Sequence, residues 1–408
     1  MKKLKLLLFS ILLFPSEGHT QELTSYIQTA LANNPEIQVV DMRYALAEEK
    51  VNETNSLPNT ELTAGYFISE PETRTGAQRA RFSLRQMIPW FGTLTARETY
   101  AASMAEAQYV DIAIAKRKLA LEVAQGYYTL FALKEKQLVL LENIRLLQTY
   151  EQLALTSVEV GTASAVDVLR LQIRQNELQQ ELAVLQEQTK AQEAMFNNML
   201  HRTEDSTVEI TDTLSIPSEV ISVEPTQLEL HPELLRYDAL YESVVQAEQL
   251  NRKEAAPSLG FGLDYIPVSN RSDMNVSENG KDILMPMLTV SVPIFSKKYT
   301  SVSKQNQLRQ QELIAQKETR QNVLDNLVRT AISNRNSAVI RYRTQMQNLA
   351  QAKDAEEILL KNYETGTIDF TDVLDIQELQ LMFQKQIIES ITDFHRQTAL
   401  MAYVSPSN

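Results

Sequence analysis

The sequence predicts a mainly α-helical protein with a small β part and an internal duplication. Two observations, a repeated motif and a long stretch without proline before each copy of it, indicate the helical content and the duplication. The segment 160–162, Val-Gly-Thr, returns about 205 residues later as 365–367, Thr-Gly-Thr, and in both copies it follows a long proline-free stretch. Solenoid repeats have periods of roughly 20–50 residues, so a period this long indicates two duplicated halves instead. We assign the first structural repeat to residues 21–224 and the second to residues 225–408.

The first 20 residues have the features of a secretory signal peptide. A lysine-rich start at 1–5 precedes an apolar run at 6–14, and polar residues follow from Ser16. The apolar run is far shorter than the roughly 20 residues that a membrane-spanning helix needs. We therefore expect residues 1–20 to be removed during export to the periplasm, the outer membrane or the medium.

Composition excludes several functions. The chain has no cysteine, which excludes disulfides, thiolate metal sites and a lipid anchor on an N-terminal Cys. The formal net charge of −13 argues against nucleic acid as a partner, because nucleic-acid binding needs a basic surface.

In the first repeat, residues 23–56 are expected to be helical with a break at Pro35, and Pro58 ends the helical stretch. Residues 60–69 and 79–90 then alternate with a period of two, which predicts a β-hairpin (60–90) with one apolar and one mostly polar face. The second repeat shows the same alternation in a hairpin at 258–295. The polar linkers inside both hairpins predict exposed loops.

Each hairpin is followed by a proline-free stretch, 93–158 in the first repeat and 297–362 in the second. As a single helix, 65 residues span roughly 100 Å. Glycine turns at Gly161 and Gly366 separate these helices from return helices that end near residues 201 and 403. Leucines seven residues apart, at 133, 140 and 147 and at 171, 178 and 185, predict antiparallel coiled-coil packing.

Four strands cannot close a barrel, and open strand edges are not tolerated in lipid. Two copies would give an eight-stranded barrel whose interior is filled by side chains. Three copies would give twelve strands and leave an open conduit. The aromatic residues Trp90, Phe91 and Phe295 stand where strand gives way to helix, which suits a membrane–water interface. The alternative is a small soluble β-subdomain packed on the helices.

No catalytic pattern is present. The histidines stand at 19, 201, 231 and 395, and no two are spaced for a helical metal site. There is neither a phosphate-binding loop nor a nucleophile elbow. We therefore expect no enzymatic activity, no cofactor and no metal site.

The tip motifs are the most specific part of the sequence. Tyr363-x-x-Gly366-Thr367 precedes Asp372-Val-Leu-Asp375, and Asp167-Val-Leu matches it in the first repeat. With these motifs the whole chain resembles the TolC family of outer-membrane efflux proteins. The segment 86–92, Gln-Met-Ile-Pro-Trp-Phe-Gly, resembles the heavy-metal (CzcC/CusC-like) branch. The resemblance implies a homotrimer, with a 12-stranded outer-membrane β-barrel on a periplasmic α-barrel of coiled-coil helices. It also implies a periplasmic adaptor protein and an inner-membrane RND-type pump as partners.

Asp372 and Asp375 are three residues apart and so lie near one face of the return helix. In a trimer they would form two stacked acidic rings that favour cations, and the resemblance places them at the family's aspartate rings. The alternative is that Asp372 caps the helix. Asp375 has no acidic counterpart, because Arg170 stands at that position in the first repeat.

The resemblance also implies a hydrogen-bonded latch between Tyr363 and Asp167, a charge-assisted bond that is strong but breakable. The family's arginine two residues after the tip glycine is replaced by Ile368, which puts the second latch bond in doubt. The tip turns, Gly161 with Thr162 and Gly366 with Thr367, are expected to contact the adaptor.

These expectations point to a passive exit duct for metal cations or drugs in a tripartite efflux system. Two alternatives remain open from the sequence: the outer-membrane component of a type I protein-secretion system, and a secreted, soluble coiled-coil spacer or adhesin. Genetic context distinguishes the secretion component from the duct. A requirement for detergent distinguishes the duct from the soluble spacer or adhesin.

Overall fold

The structure is a computed structural model that describes residues 21–161, 164–211, 213–219, 228–273, 275–365, 367–368 and 370–405. The expected signal peptide, Thr162 and Gly366 lie outside the described residues. In chain order the elements are α1 (Gln21–Asn33), α2 (Pro35–Thr54), β1 (Glu61–Tyr66), β2 (Glu72–Thr73), β3 (Gly76–Ala77), β4 (Ala80–Ile88), α3 (Thr93–Glu159), α4 (Ala165–Met199), a 3-10 turn (Leu228–Leu230), α5 (Pro232–Glu254), β5 (Ser258–Ile266), β6 (Ile283–Ser291), α6 (Lys298–Glu364) and α7 (Phe370–Val404).

The helix starts of the two repeats use the same chemistry. The side chain of Asn34 accepts a 2.8 Å hydrogen bond from the backbone N–H of Glu36, and Pro35 is the first residue of α2. In the second repeat the Nδ1 of His231 accepts from the N–H of Glu233 at 3.3 Å, and Pro232 begins α5. A capping side chain followed by proline suits a helix start. The first N–H groups of a helix have no intrahelical acceptor, so proline, which has no N–H, loses no hydrogen bond there.

The strands form an antiparallel sheet in the order β1-β4-β5-β6. Leu62 pairs with Leu84, Leu84 with Leu263, and Leu263 with Pro286, so the apolar faces of the four strands coincide as the alternation predicts. That face is open to solvent in the single chain, with Leu62 82% and Leu288 66% exposed. Among the described residues, β1 and β6 are its two edges.

The linker between β1 and β4 differs from the exposed loop that we expected. It contains the short paired strands β2 and β3, and Gly76 and Ala77 are buried. The reason is a backbone contact with the other hairpin's linker, in which the N–H of Ser269 donates to the carbonyl of Ala77 at 2.8 Å.

The described residues divide into two compact units. One contains 21–37, 116–219 and 326–405, and the other contains 38–115 and 228–325. Each unit therefore draws on both halves of the chain, and the repeat boundaries at 21–224 and 225–408 stay a prediction. Among the described helices, none is both long enough and apolar enough to cross a bilayer.

Inside the first unit the duplication is visible in hydrogen bonds. Gln175 on α4 donates to Glu151 on α3 at 2.8 Å, and Gln380 on α7 donates to Glu356 on α6 at 2.9 Å. The residues of the second pair stand 205 positions after those of the first. The heptad leucines of α3 and α4 form one core with residues of α6 and α7: Leu140, Leu147, Leu171, Leu178, Leu185, Tyr363, Phe370, Val373 and Leu381.

Candidate functional site

The two helical hairpins of the first unit turn at comparable positions. Gly161 has a φ of 81°, a left-handed conformation that glycine adopts without strain, and α4 begins after Ser164, whose hydroxyl accepts from the N–H of Val166 at 3.2 Å. In the second hairpin the N–H of Thr367 donates to the carbonyl of Asn362 at 3.0 Å. Thr367 therefore closes the end of α6.

Asp372 and Asp375 are both exposed, one helical turn apart at the start of α7. Asp372 is the third residue of α7 and Asp167 is the third residue of α4, so neither occupies the N-cap position. Both carboxylates lie in the first helical turn, where the helix dipole stabilises negative charge. Arg170, at the position equivalent to Asp375, donates to the hydroxyl of Thr371 next to Asp372.

Tyr363 is a core residue of this tip. Its ring packs edge-on against Phe370 with centroids 4.9 Å apart, and only 6% of the residue is exposed. Burial raises the pKa of Tyr363, the nearby Ser157 hydroxyl lowers it and the Asp167 carboxylate raises it. The structure thus brings Tyr363 and Asp167 close together. In the part of the chain that the structure describes, the Tyr363 hydroxyl does not form a hydrogen bond with Asp167.

A second tyrosine, Tyr150 on α3, contacts the other hairpin directly. Its hydroxyl donates to Oε1 of Glu356 on α6 at 2.5 Å, and Oε2 of the same carboxylate accepts from Gln380 at 2.9 Å. Burial and the Glu356 carboxylate raise the pKa of Tyr150 well above its usual value. The sequence analysis did not predict this network. The equivalent pair in the first repeat, Glu151 and Gln175, could have indicated the contact between Gln380 and Glu356, but not the contact with Tyr150.

Further polar contacts join the hairpins beside this network. Asn143 on α3 accepts from Gln377 at 2.9 Å and donates to Gln384 at 3.0 Å, both on α7. Arg174 on α4 lies 3.3 Å from a carboxylate oxygen of Glu378. Polar groups buried between helices are costly to leave unpaired, so these contacts favour one fixed arrangement of the two hairpins.

The polar face of the sheet carries charged residues from β1, β4 and β5. The register places Glu61 opposite Arg85, and Ser83 opposite Asp264. Arg81 forms an ion pair with Asp264, which is fully buried. Glu61, Arg81, Arg85 and Asp264 therefore lie on the same face of the sheet.

The three aromatic residues lie at the strand–helix junctions. Trp90 and Phe91 connect β4 to α3 and pack edge-on at 5.7 Å, and Phe295 connects β6 to α6 with 97% of its surface exposed. Within the part of the chain that the structure describes, no group of three or more His, Cys, Asp or Glu side chains is placed to hold a metal ion.

Comparison with known proteins agrees with this architecture. The outer membrane efflux protein family model matches residues 26–200. No curated protein sequence matches the chain at a significant level.

Solved channel structures share the fold over nearly the whole chain. CusC superposes with a TM-score of 0.78 at 14% identity, over 95% of this chain and 92% of CusC. VceC from Vibrio cholerae gives a TM-score of 0.75 at 15% identity, over 95% and 96% of the two chains. The outer-membrane channel OprN gives 0.77 at 14% identity, over 95% and 91%. The family match thus covers residues 26–200, and the solved structures show that the fold is shared over nearly the whole chain.

Proposed function

We propose that three copies of this chain pool their sheets into a 12-stranded outer-membrane β-barrel that serves as a passive exit duct. The supporting observation is the open sheet β1-β4-β5-β6, with an exposed apolar face and two edges, β1 and β6. Such a sheet is stable in lipid only when every edge strand finds a partner. In an antiparallel ring, β6 of one copy pairs with β1 of the next.

The polar face of the sheet lines the pore in this assembly. Eight strands would leave an interior filled by side chains, whereas twelve leave room for water and substrate. Arg81 and Asp264 neutralise one another on that face. Glu61 and Arg85 also stand opposite one another in the register. We therefore propose that the barrel is filled with water and does not discriminate strongly between cations and anions.

Selectivity and gating are proposed to lie at the helical tips. Threefold copies of Asp372 and Asp375 form stacked acidic rings that attract cations. Tyr363 and Asp167 hold the tip closed, and the Tyr150–Glu356 hydrogen bond adds a second connection between the hairpins. Because Ile368 replaces the latch arginine of the family, these contacts are proposed to carry the closed state.

The proposed partners follow from the family. A periplasmic adaptor protein contacts the tip turns at Gly161, Thr162, Gly366 and Thr367, and an inner-membrane RND-type pump supplies energy and most of the selectivity. The substrate class is metal cations or drugs. The chain is proposed to consist of two structural repeats, 21–224 and 225–408, and a cleaved signal peptide.

The first experiment sizes the detergent-purified protein by light scattering and records its conductance in a planar bilayer. We expect a trimer with discrete conductance that divalent cations block from one side. A monomer or dimer that stays soluble without detergent and gives no conductance would contradict the duct and support the secreted coiled-coil alternative. Protein-secretion function would instead require an ATP-driven exporter as the partner in pull-downs from the native host.

A further inference from the structure

The two helical hairpins of the first unit are equivalent elements of the duplicated chain. The first consists of α3 and α4, and the second consists of α6 and α7. α3 and α6 each contain 67 residues, and α4 and α7 each contain 35. Residues of the second hairpin stand 205 positions after their equivalents in the first. Within one chain, one side of the first hairpin packs against one side of the second. The equivalent of each occupied side is therefore present on the other hairpin.

A polar cluster between α3 and α7 has an equivalent of the same composition. Asn143 accepts from Gln377 at 2.9 Å and donates to Gln384 at 3.0 Å. The equivalent positions hold the same residue types, an asparagine on α6 and two glutamines on α4: Asn348, Gln172 and Gln179. Asn348 is half-buried and both glutamines are exposed. In the part of the chain that the structure describes, Asn348 is not hydrogen-bonded to either glutamine. Amide side chains both donate and accept, so this set can form the same contact between two molecules.

An ion pair between α4 and α7 has an apolar equivalent. Arg174 lies 3.3 Å from a carboxylate oxygen of Glu378. The equivalent positions are Leu379 on α7 and Ile173 on α4. These two side chains are 43% and 59% exposed. A pair of opposite charges inside the chain thus corresponds to two exposed apolar side chains, which are again complementary to one another because burial favours both.

A second ion pair between the same helices has an amide equivalent. The Nζ of Lys385 lies 2.6 Å from a carboxylate oxygen of Glu181. The equivalent positions are Gln180 on α4, which is exposed, and Gln386 on α7, which is half-buried. Two glutamines can hydrogen-bond to one another, so this pair is also complementary.

Toward the tip the equivalence ends. Arg170 donates to the hydroxyl of Thr371, but the equivalent positions hold Asp375 and Val166, which cannot form such a bond. The complementary surface therefore begins at Ile173 on the first hairpin. It leaves out the Asp375 carboxylate, which the acidic ring of the proposed gate uses.

We propose that a second copy of this chain covers this surface, so that the first hairpin of one copy packs against the second hairpin of the next. Ile173 then contacts Leu379 of the next copy, and Gln180 contacts its Gln386. The same contact brings the asparagine of α6 against the two glutamines of α4. Different surfaces meet in such a head-to-tail contact, which can close into a ring. This inference rests on the proposed trimer and names the helical surfaces that join its copies.

The first test is chemical crosslinking, because the full chain has no cysteine of its own. Two differently tagged copies, one with Ile173→Cys and the other with Leu379→Cys, are co-expressed and treated in the membrane with a short bismaleimide. We expect a covalent product that carries both tags. Arg174→Cys and Glu378→Cys, placed likewise on separate copies, are the matched control. They should give no doubly tagged product, because those two positions pair within one chain.

The second test changes the charge at the same two positions. Ile173→Glu with Leu379→Glu places like charges against one another, and should lower the temperature at which the detergent-purified trimer dissociates in light scattering. Ile173→Arg with Leu379→Glu creates an ion pair of the kind that Arg174 and Glu378 form, and should retain the wild-type temperature.

The outcomes separate this surface from the duct itself. A wild-type trimer that gives no doubly tagged product would overturn the surface and leave the duct in place. So would a double-glutamate variant that dissociates at the wild-type temperature. A monomeric wild type would overturn the duct and this surface together.

Discussion

The hydroxyl of Tyr150 donates a 2.5 Å hydrogen bond to Oε1 of Glu356, and the two residues belong to different helical hairpins of the duplicated chain. Both hydrogen-bonding oxygens of Glu356 are used, because Gln380 occupies Oε2. Hydrogen bonds to an ionised acceptor contribute about 1.5–3 kcal/mol, more than bonds between neutral groups. This contact therefore stabilises one relative arrangement of the hairpins.

Tyr150→Phe is expected to favour the open state of the tip, because it removes the donor and leaves the Glu356 oxygen without its partner. A loss of about 1.5–3 kcal/mol shifts the closed-to-open ratio by about 10- to 150-fold. Open probability in planar bilayers measures this. Tyr109→Phe, which removes a hydroxyl from an exposed tyrosine, is the matched control. An unchanged open probability in Tyr150→Phe would mean that this bond does not hold the tip closed.

Alkaline pH should leave the same bond intact beyond the usual titration range of tyrosine. The folded-state pKa of Tyr150 is raised above its ordinary value of about 10, so the contribution of the bond is fully present below pH 10. It is lost only as the pH rises through the higher, folded-state pKa. Ultraviolet difference titration of the wild type against Tyr150→Phe should show no ionisation of Tyr150 near pH 10, and a normal titration there would contradict the prediction.

Asp372→Ala with Asp375→Ala should reduce cation selectivity and the block by divalent cations. Six carboxylates at the tip of a trimer attract cations, and their removal leaves the cationic Arg170, which donates to the hydroxyl of Thr371, in place. Reversal potentials under a salt gradient report the selectivity. Glu53→Ala with Glu187→Ala removes the same charge from exposed helix surfaces and serves as the control. If the selectivity of the tip variant is unchanged, the two aspartates do not line the pore.

Tyr363→Phe should raise the resting conductance if its hydroxyl meets Asp167 in the closed trimer. Its ring, packed against Phe370, is retained in this variant, so the core is preserved and only the hydroxyl is tested. Single-channel recordings beside Tyr150→Phe show which tyrosine contributes more. A wild-type resting conductance in Tyr363→Phe would assign Tyr363 to packing alone.

Phe370→Ala should destabilise the tip core by about 3–5 kcal/mol, the usual cost of truncating a buried phenylalanine. Phe370 is fully buried and packs against Tyr150 with ring centroids 5.7 Å apart. The thermal unfolding midpoint in detergent measures the loss. Leu379→Ala, on the exposed side of the same helix, should change stability by about 0.5 kcal/mol or less. Equal midpoints for Phe370→Ala and the wild type would show that the core tolerates the cavity.

The sequence by itself determined the helices, the four strands of the main sheet and the repeated pattern, but not the short strands β2 and β3. Proline and a capping side chain mark the starts of α2 and α5, glycine marks the turn at Gly161, and a period of two marks the strands. Each of these signals acts on the residues next to it, so it can be recognised from the sequence without the tertiary structure. The resemblance carried by Asp372, Asp375 and Tyr363 implied the fold, which the solved structures share.

Only the tertiary structure decided which side chains meet across the hairpins. Tyr150 and Glu356 are 206 positions apart, and nothing in the local sequence of either specifies the other. Asn143 bonds with Gln377 on the other hairpin, whereas its equivalent in the second repeat, Asn348, does not bond with the equivalent glutamine within the described part of the chain. Contacts between distant segments depend on how helices and strands pack, because packing selects one of many pairings that the same local patterns allow.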